Sequence, residues 1–111
     1  MLTRKALAER IDSFLMSLIG QGLHIERAFL FGSYAKGNPH EYSDIDLAVW
    51  ADEFAGVSFV DIDLYVIALR GHAKISVRPY QSGTTVDDDP FLEEIFKTGR
   101  EWPLPRKHKN L

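Results

Sequence analysis

The sequence predicts a single α/β domain. Its 111 residues are the usual size of one domain, and an apolar fraction of 45% suffices for one core. Helical and strand patterns follow one another in the order helix, strand, strand, helix, strand, helix. The segment between the second and third strands has the length of a crossover, which parallel strands need. The chain therefore belongs to the α/β class.

The first half of the chain contains one helix and two strands. Thr3 can cap a helix whose apolar residues recur at helical spacing over residues 7–19, and Gly20 can end it. Residues 23–31 become continuously apolar, as a buried strand does. After a turn-rich connection, residues 43–50 are predicted to form the second strand.

The segment over residues 56–70 is compatible with two structures. Its sequence FVDIDLYVIAL alternates apolar and polar residues, as a strand does. Ser58 with Asp61 three residues later resembles a capping box, and Gly71 can end a helix. Its length favours a helix, which we predict.

The last part of the chain contains a third strand and a last helix. The strand is predicted over residues 73–80 and is closed by Pro79. Asp89 can cap the helix with Pro90 at its first position, and Gly99 can end it.

The composition excludes several kinds of protein. The chain has no cysteine, which excludes disulfides and thiolate metal sites. No stretch approaches the roughly 20 apolar residues of a membrane span. The N-terminus is charged and amphipathic, without the apolar run of a signal peptide. We therefore expect a cytoplasmic protein with no membrane contact.

The charge is unevenly distributed. We expect one domain over residues 1–105 and a basic, solvated tail over residues 106–111, which contains Arg106, Lys107 and Lys109. The net charge of the chain is −3. Without the three basic residues of the tail, ten basic residues remain against sixteen acidic ones. This balance argues against a broad nucleic-acid surface, which needs a basic face, and is compatible with a site for divalent metal.

Two aspartates in the second strand are candidate metal ligands. In a strand, Asp44 and Asp46 point to the same face, with Cα atoms about 6.6–6.8 Å apart, while Ile45 and Leu47 point to the core. Two such carboxylates repel each other unless a cation lies between them. Mg²⁺ prefers carboxylate and phosphate oxygens, and a pair of such ions can hold the attacking and leaving oxygens of a phosphoryl transfer.

The turn ahead of the aspartates is a candidate phosphate site. Gly32 lets the backbone approach a ligand closely, and a short helix beginning near Ser33 would offer its amides to an anion. Lys36 could reach a phosphate or be solvated, and Ser43 could contact the ligand or bond locally. A Gly-Ser turn or a D-x-D pair alone is common in proteins without such a site. Their combination and order favour a triphosphate cradle followed by metal ligands.

The tetrapeptide DIDL occurs a second time, at residues 61–64. No glycine turn precedes this copy, and residues two apart do not share a face on a helix. We therefore expect Asp61 and Asp63 at the surface, with Asp63 near the edge of the site. The histidines at positions 24, 40, 72 and 108 lack metal-ligand spacing and receive no role.

The residues Gly32-Ser33, Gly37 and Ser43-Asp44-Ile45-Asp46-Leu47 resemble a known signature. It is the G-S-x-x-x-G…S-D-I-D-L motif of the minimal nucleotidyltransferases, small members of the DNA polymerase beta-like superfamily. The resemblance implies an α/β fold with a short mixed sheet flanked by helices.

The same resemblance implies an activity. It is Mg²⁺-dependent transfer of a nucleoside monophosphate from a nucleoside triphosphate, ATP first among them, to a hydroxyl. Asp44 and Asp46 would be catalytic metal ligands, and Gly32, Ser33, Lys36 and Ser43 would contact the nucleotide. Many relatives pair with a helical HEPN-domain protein as antitoxin and toxin, and in some pairs the partner is adenylylated. A homo-oligomer is left open.

One position departs from the family pattern. The family usually carries a third carboxylate on the strand after the crossover helix, whereas the site-facing residues here would be Ser76 and Arg78. The loop residues 87–89 are acidic and could substitute, although a solvated helix cap is the simpler interpretation. A missing general base typically removes about 10²–10⁴-fold in rate.

The sequence therefore supports two hypotheses. The first is an active nucleotidyltransferase with a two-carboxylate site, acting on a separate protein because the chain leaves little room for an acceptor-binding domain. The second is a nucleotide-binding or partner-binding module, of antitoxin type, that has lost efficient catalysis.

Overall fold

The structure is a computed structural model that describes residues 2–105. The tail predicted over residues 106–111 lies outside the described residues. In chain order the elements are α1 Arg4–Gly20, β1 Ile25–Phe31, α2 Ser33–Lys36, β2 Ile45–Ala51, α3 Ser58–Arg70, β3 Ile75–Gln81, α4 Phe91–Thr98 and β4 Arg100–Trp102.

The strands form one mixed sheet in the order β3-β2-β1-β4. β1 runs antiparallel to both β2 and β4, whereas β2 and β3 are parallel. The 13 residues of α3 form the crossover that joins this parallel pair. The predicted α/β class and the mixed sheet flanked by helices are therefore confirmed.

The two faces of the sheet bury different side chains. α1 and α3 cover one face, where the apolar stripe of α1 packs against Ile45 and Leu47 of β2. α4 covers the other face, where Leu92 packs with Trp50. Because successive residues of a strand alternate between faces, Asp46 belongs to the α4 face.

The predicted elements are present, with shifted ends. All three predicted strands begin two residues later than expected, and β2 and β3 end one residue later. The segment over residues 56–70 is helical, as predicted. The sequence did not predict β4, and it raised α2 only as the short helix near Ser33 that a phosphate site would use, because three and four residues are too short for a periodic signal.

The start of α3 differs from the predicted capping box. Val57 is the N-cap residue and makes no side-chain cap bond. Instead, the Asp61 carboxylate accepts hydrogen bonds from the amides of Ala55, Gly56 and Val57, at 2.8, 2.8 and 3.1 Å. Asp61 is only 1% exposed, so the predicted surface position is wrong, whereas Asp63 is exposed as expected.

The start of α4 is close to the prediction. The Asp89 carboxylate accepts a hydrogen bond from the Phe91 amide at 3.0 Å, although the helix begins at Phe91 rather than at Pro90. Within residues 2–105, none of the helices combines the length and the apolar character that crossing a membrane requires.

Candidate active site

Asp44 immediately precedes β2, and Asp46 is the second residue of this strand, on the face opposite the α1 core. Ile45 and Leu47 are completely buried in that core, whereas Asp44 is exposed and Asp46 is half-buried. Burial, and secondarily the charge of Asp44, raise the pKa of the Asp46 carboxyl. The two carboxylates are thus close enough to repel each other, as side chains two residues apart on a strand are.

Gly32 brings the backbone directly against Asp46. β1 ends at Phe31, whose register partner in β2 is Asp46, so the chain bends at Gly32 beside this carboxylate. Gly32 has φ +77° and ψ −155°, a conformation that L side chains rarely adopt. A Cβ at this position would overlap the Asp46 carboxylate and lie 3.1 Å from its Cγ. Glycine is therefore required at this position both by the backbone conformation and by the lack of room for a side chain.

The short helix α2 begins at Ser33, immediately after the bend. Its first backbone bond runs from the Lys36 amide to the Gly32 carbonyl, and the amides of a first helical turn have no partner within the helix. Tyr34 is buried, and its hydroxyl accepts a bond from the Leu2 amide at 3.1 Å, which fixes α2 to the body of the protein.

Lys36 and Ser43, the other two residues predicted to contact the nucleotide, each interact with another residue of the chain. The Lys36 ammonium is exposed and lies 3.8 Å from a Glu94 carboxylate oxygen. Ser43 is buried, and its hydroxyl accepts a bond from the His40 amide at 2.9 Å, within the turn that leads into β2. The local bond of Ser43 matches the alternative that the sequence left open, and its contact with a nucleotide stays a prediction.

Ser76 is the β3 residue beside Asp46. The parallel register pairs Asp46 with Ser76 and Ala48 with Arg78, which places both β3 side chains on the site face, as the sequence predicts. The Arg78 guanidinium donates from Nε to the Tyr80 hydroxyl at 2.7 Å and lies 3.6 Å from the Asp89 carboxylate.

Two of the three aspartates in the loop before α4 form local hydrogen bonds. Asp89 accepts bonds from Tyr80 and Phe91, and Asp88 accepts a bond from the Thr85 amide at 2.9 Å. Within the described part of the chain, no three histidine or acidic side chains converge on a common metal position. The oxygen donors available for Mg²⁺ are therefore the two carboxylates of Asp44 and Asp46, which suit this ion by their chemistry.

Comparison with known families agrees with this arrangement. The model of the polymerase beta nucleotidyltransferase family matches residues 14–101. The chain belongs to this family. The match includes the Gly32 bend, both aspartates and the strand that contains Ser76.

Solved structures of other proteins share this fold. The nucleotidyltransferase chain is similar to a candidate nucleotidyltransferase from Sulfolobus solfataricus, with a TM-score of 0.65 at 13% identity over 86% of this chain and 78% of that one. It is also similar to a toxin–antitoxin structure solved with AMP-PNP and to a mutant of the MntA–HpeT toxin–antitoxin. Both are 20% identical over 85% of this chain and 70% of theirs, with TM-scores of 0.57 and 0.55. No curated protein sequence matches the chain.

The sequence did not single out Lys74, which lies next to this site. Its φ of +72° is in the left-handed region, and its carbonyl accepts a 2.6 Å bond from the Ile45 amide, one residue from Asp44. Lysine has no preference for this conformation, so the sequence contains no signal for it.

Proposed function

We propose that this nucleotidyltransferase transfers a nucleoside monophosphate from a nucleoside triphosphate, ATP first among them, to a hydroxyl of a partner protein with the help of Mg²⁺. The observation that supports this most directly is the Asp44–Asp46 pair beside the glycine bend at Gly32. It joins two oxygen ligands for a hard cation to a stretch of backbone that a phosphate can approach.

Each residue has a separate task in this proposal. Asp44 and Asp46 hold Mg²⁺, which when bound neutralises charge on the phosphate oxygens. The backbone at Gly32 and Ser33, the Ser33 hydroxyl and the Lys36 ammonium orient the triphosphate. Ser43 keeps Asp44 in place through the turn that it closes with His40.

The transfer exchanges one oxygen–phosphorus bond for another. The acceptor hydroxyl oxygen forms a bond to the α-phosphorus, and the bond from this phosphorus to the bridging oxygen breaks. Pyrophosphate leaves, and the hydroxyl proton passes to water. The chain's contribution is to place the reactants in line and to counter the charge that develops.

A protein partner is part of the proposal. The similar toxin–antitoxin structures support it, and one of them was solved with AMP-PNP. A HEPN-domain toxin is the partner that the family resemblance suggests, and its surface hydroxyl would be the acceptor.

A weaker activity is the second candidate function. It is favoured by the serine, rather than a carboxylate, that lies beside Asp46 in β3. The chain would then bind Mg²⁺ and nucleotide, or bind its partner, with little transfer.

Nucleotide titration with and without Mg²⁺ tests the binding step. ATP should bind clearly more tightly with the metal than in EDTA, because the carboxylates otherwise repel the triphosphate. Equal affinity in both conditions would contradict the proposed metal site.

Replacement of both site carboxylates tests the transfer step. Asp44→Asn with Asp46→Asn should abolish transfer of labelled nucleotide to the product of the neighbouring reading frame and leave the circular dichroism spectrum unchanged. Asp63→Asn, in the second DIDL, is the matched control. Its helix α3 covers the sheet face opposite Asp46 rather than the edge of the site that the sequence suggested, so this variant should retain full activity. Transfer by the double variant would exclude this mechanism. Binding without transfer by the wild type would favour the second function.

A further inference from the structure

Lys74 adopts a strained backbone conformation beside the candidate site. Among the described residues it is the non-glycine residue with positive φ, at +72°. Such a conformation costs a long side chain free energy, and strained residues of this kind cluster where ligands bind. Its carbonyl accepts the 2.6 Å bond from Ile45 that begins the pairing of β2 with β3. This bond places the Lys74 backbone beside Ile45, the residue between Asp44 and Asp46.

Tyr42 holds the side chain of Lys74 at the same place. The Lys74 ammonium lies 5.7 Å from the centroid of the Tyr42 ring, within range of a cation–π contact. Tyr42 is 72% exposed and lies two residues before Asp44. An exposed aromatic ring and an ammonium thus form one edge of the site, and neither side chain is packed in the core.

The two sides of β2 have different chemistry. The bend at Gly32 follows β1, on one side of β2, and β3 lies on the other side. With the triphosphate at the bend, as proposed above, the leaving pyrophosphate is on the β1 side. An in-line displacement places the attacking oxygen opposite the leaving one, so the acceptor approaches from the β3 side.

Two basic side chains lie on or beside β3 although the chain as a whole is acidic. β3 has the sequence ISVRPYQ, without an acidic residue, and its exposed site-face side chains include Arg78, whose charge is partly offset by the Asp89 carboxylate at 3.6 Å. Lys74 immediately precedes the strand, and Arg10 donates to the neighbouring Ala73 carbonyl at 3.0 Å. β3 is the edge of the sheet in the described structure, so a partner can approach it.

We infer that Lys74 and Tyr42 form the acceptor subsite and that the acceptor is a hydroxyl within an acidic polypeptide segment. This inference rests on the proposed function, because that function defines which side the triphosphate occupies. Lys74 attracts a carboxylate of the segment, and Tyr42 packs against the neighbouring side chain. A polypeptide fits better than a nucleic acid, since a net charge of −3 opposes the broad contacts that a phosphate backbone needs.

Two synthetic polymers test the inference directly. Random copolymers of glutamate with tyrosine and of lysine with tyrosine offer the same phenolic hydroxyl in acidic and basic surroundings. With ATP labelled at the α-phosphate and Mg²⁺, the wild type should label the acidic copolymer several-fold more than the basic one. A single exposed charge changes binding by about two- to fivefold, and repeated charges in a polymer increase the difference.

Substitutions of Lys74 identify the residue responsible. Lys74→Glu should reduce or reverse the preference for the acidic copolymer, measured as the ratio of labelling of the two copolymers at saturating ATP, so that a change in ATP affinity does not affect the comparison. Lys74→Asn removes the ammonium but tolerates positive φ, so it should lose the preference without losing stability. Lys97→Glu is the matched control, on a helix that packs against β1 and β4, and should keep the wild-type preference.

Each of the remaining outcomes would contradict either the inference about the acceptor or the proposed function. Equal labelling of both copolymers, or a preference that survives Lys74→Glu, would overturn the inference and leave the proposed transfer standing. Metal-dependent ATP binding with labelling of neither copolymer, or labelling of a single-stranded oligonucleotide instead, would also overturn it. Absence of metal-dependent ATP binding would overturn the proposed function, and the inference with it.

Discussion

At the scale of single residues, Gly32 connects the fold to the candidate site. The residue closes β1 with a positive φ, and the space where its side chain would project is filled by the Asp46 carboxylate. An ordinary turn would need only the backbone freedom of glycine. The additional close approach to a carboxylate is what relates this glycine to metal and phosphate binding.

Gly32→Ala should weaken both stability and nucleotide binding. Positive φ and the overlap with Asp46 predict a loss of about 1–3 kcal/mol in the free energy of unfolding. ATP affinity in Mg²⁺ should fall as the carboxylate is displaced. Gly22→Ala is the control, because Gly22 has φ +101° but open space around it. That variant should lose stability and keep its affinity, and equal losses of affinity in both variants would contradict the assigned role.

Ser76 is the residue at which activity can be gained. It faces the site beside Asp46 and occupies the strand position where the family resemblance suggests a third carboxylate. Ser76→Asp should raise the rate of transfer, by up to about 10²-fold if the new carboxylate acts as a general base. Ser76→Asn introduces a side chain of the same size as aspartate but without its charge, and it should not raise the rate. A Ser76→Asp variant that folds, binds Mg²⁺ and transfers no faster would favour the module of weak activity.

At the scale of elements, α3 shows why its sequence was compatible with either helix or strand. Phe59 and Ile67 are exposed, at 84% and 69%, so the apolar residues of α3 do not form one stripe. The buried positions instead include an aspartate, Asp61, whose carboxylate binds three amides of the preceding loop. Because a polar residue is buried and apolar residues are exposed, the sequence of α3 lacks the hydrophobic periodicity of an amphipathic helix.

Asp61 should therefore be the stabilising member of the second DIDL. Asp61→Asn replaces an acceptor oxygen by an NH₂ group facing backbone amides, which should lower the free energy of unfolding by about 2–4 kcal/mol. Asp63→Asn, on the exposed face, should change it by less than about 0.5 kcal/mol. Urea denaturation of the two variants measures the difference, and similar stabilities would show that the Asp61 bonds matter little.

At the scale of the whole molecule, the sheet assembles the site from three separate strands. Register places the end of β1, the start of β2 and the start of β3 side by side, so Gly32, Asp46 and Ser76 become neighbours. The α1 core and the α4 core hold this sheet from both faces. The folded protein can therefore tolerate two repelling carboxylates at one end.

Removing that repulsion should stabilise the protein while it inactivates it. Burial and Asp44 raise the pKa of Asp46 in the folded state, so at neutral pH its charge destabilises the fold. Without divalent metal, Asp46→Asn should have a higher Tm than the wild type at pH 7. As pH falls through the raised pKa, the wild-type carboxyl becomes neutral, and the difference should disappear. A lower Tm of the variant at pH 7 would contradict this account.

The sequence by itself determined the order of the main elements, the α/β class and the pairing of two acids with a glycine turn. Local spacing carries this information, since alternate residues on a strand share a face and a glycine marks a bend wherever the chain folds. Only the tertiary structure decided that Asp61 is buried, that β4 completes the sheet and that Lys74 borders the site. These features depend on register and on contacts between distant residues. No local pattern in the chain specifies them.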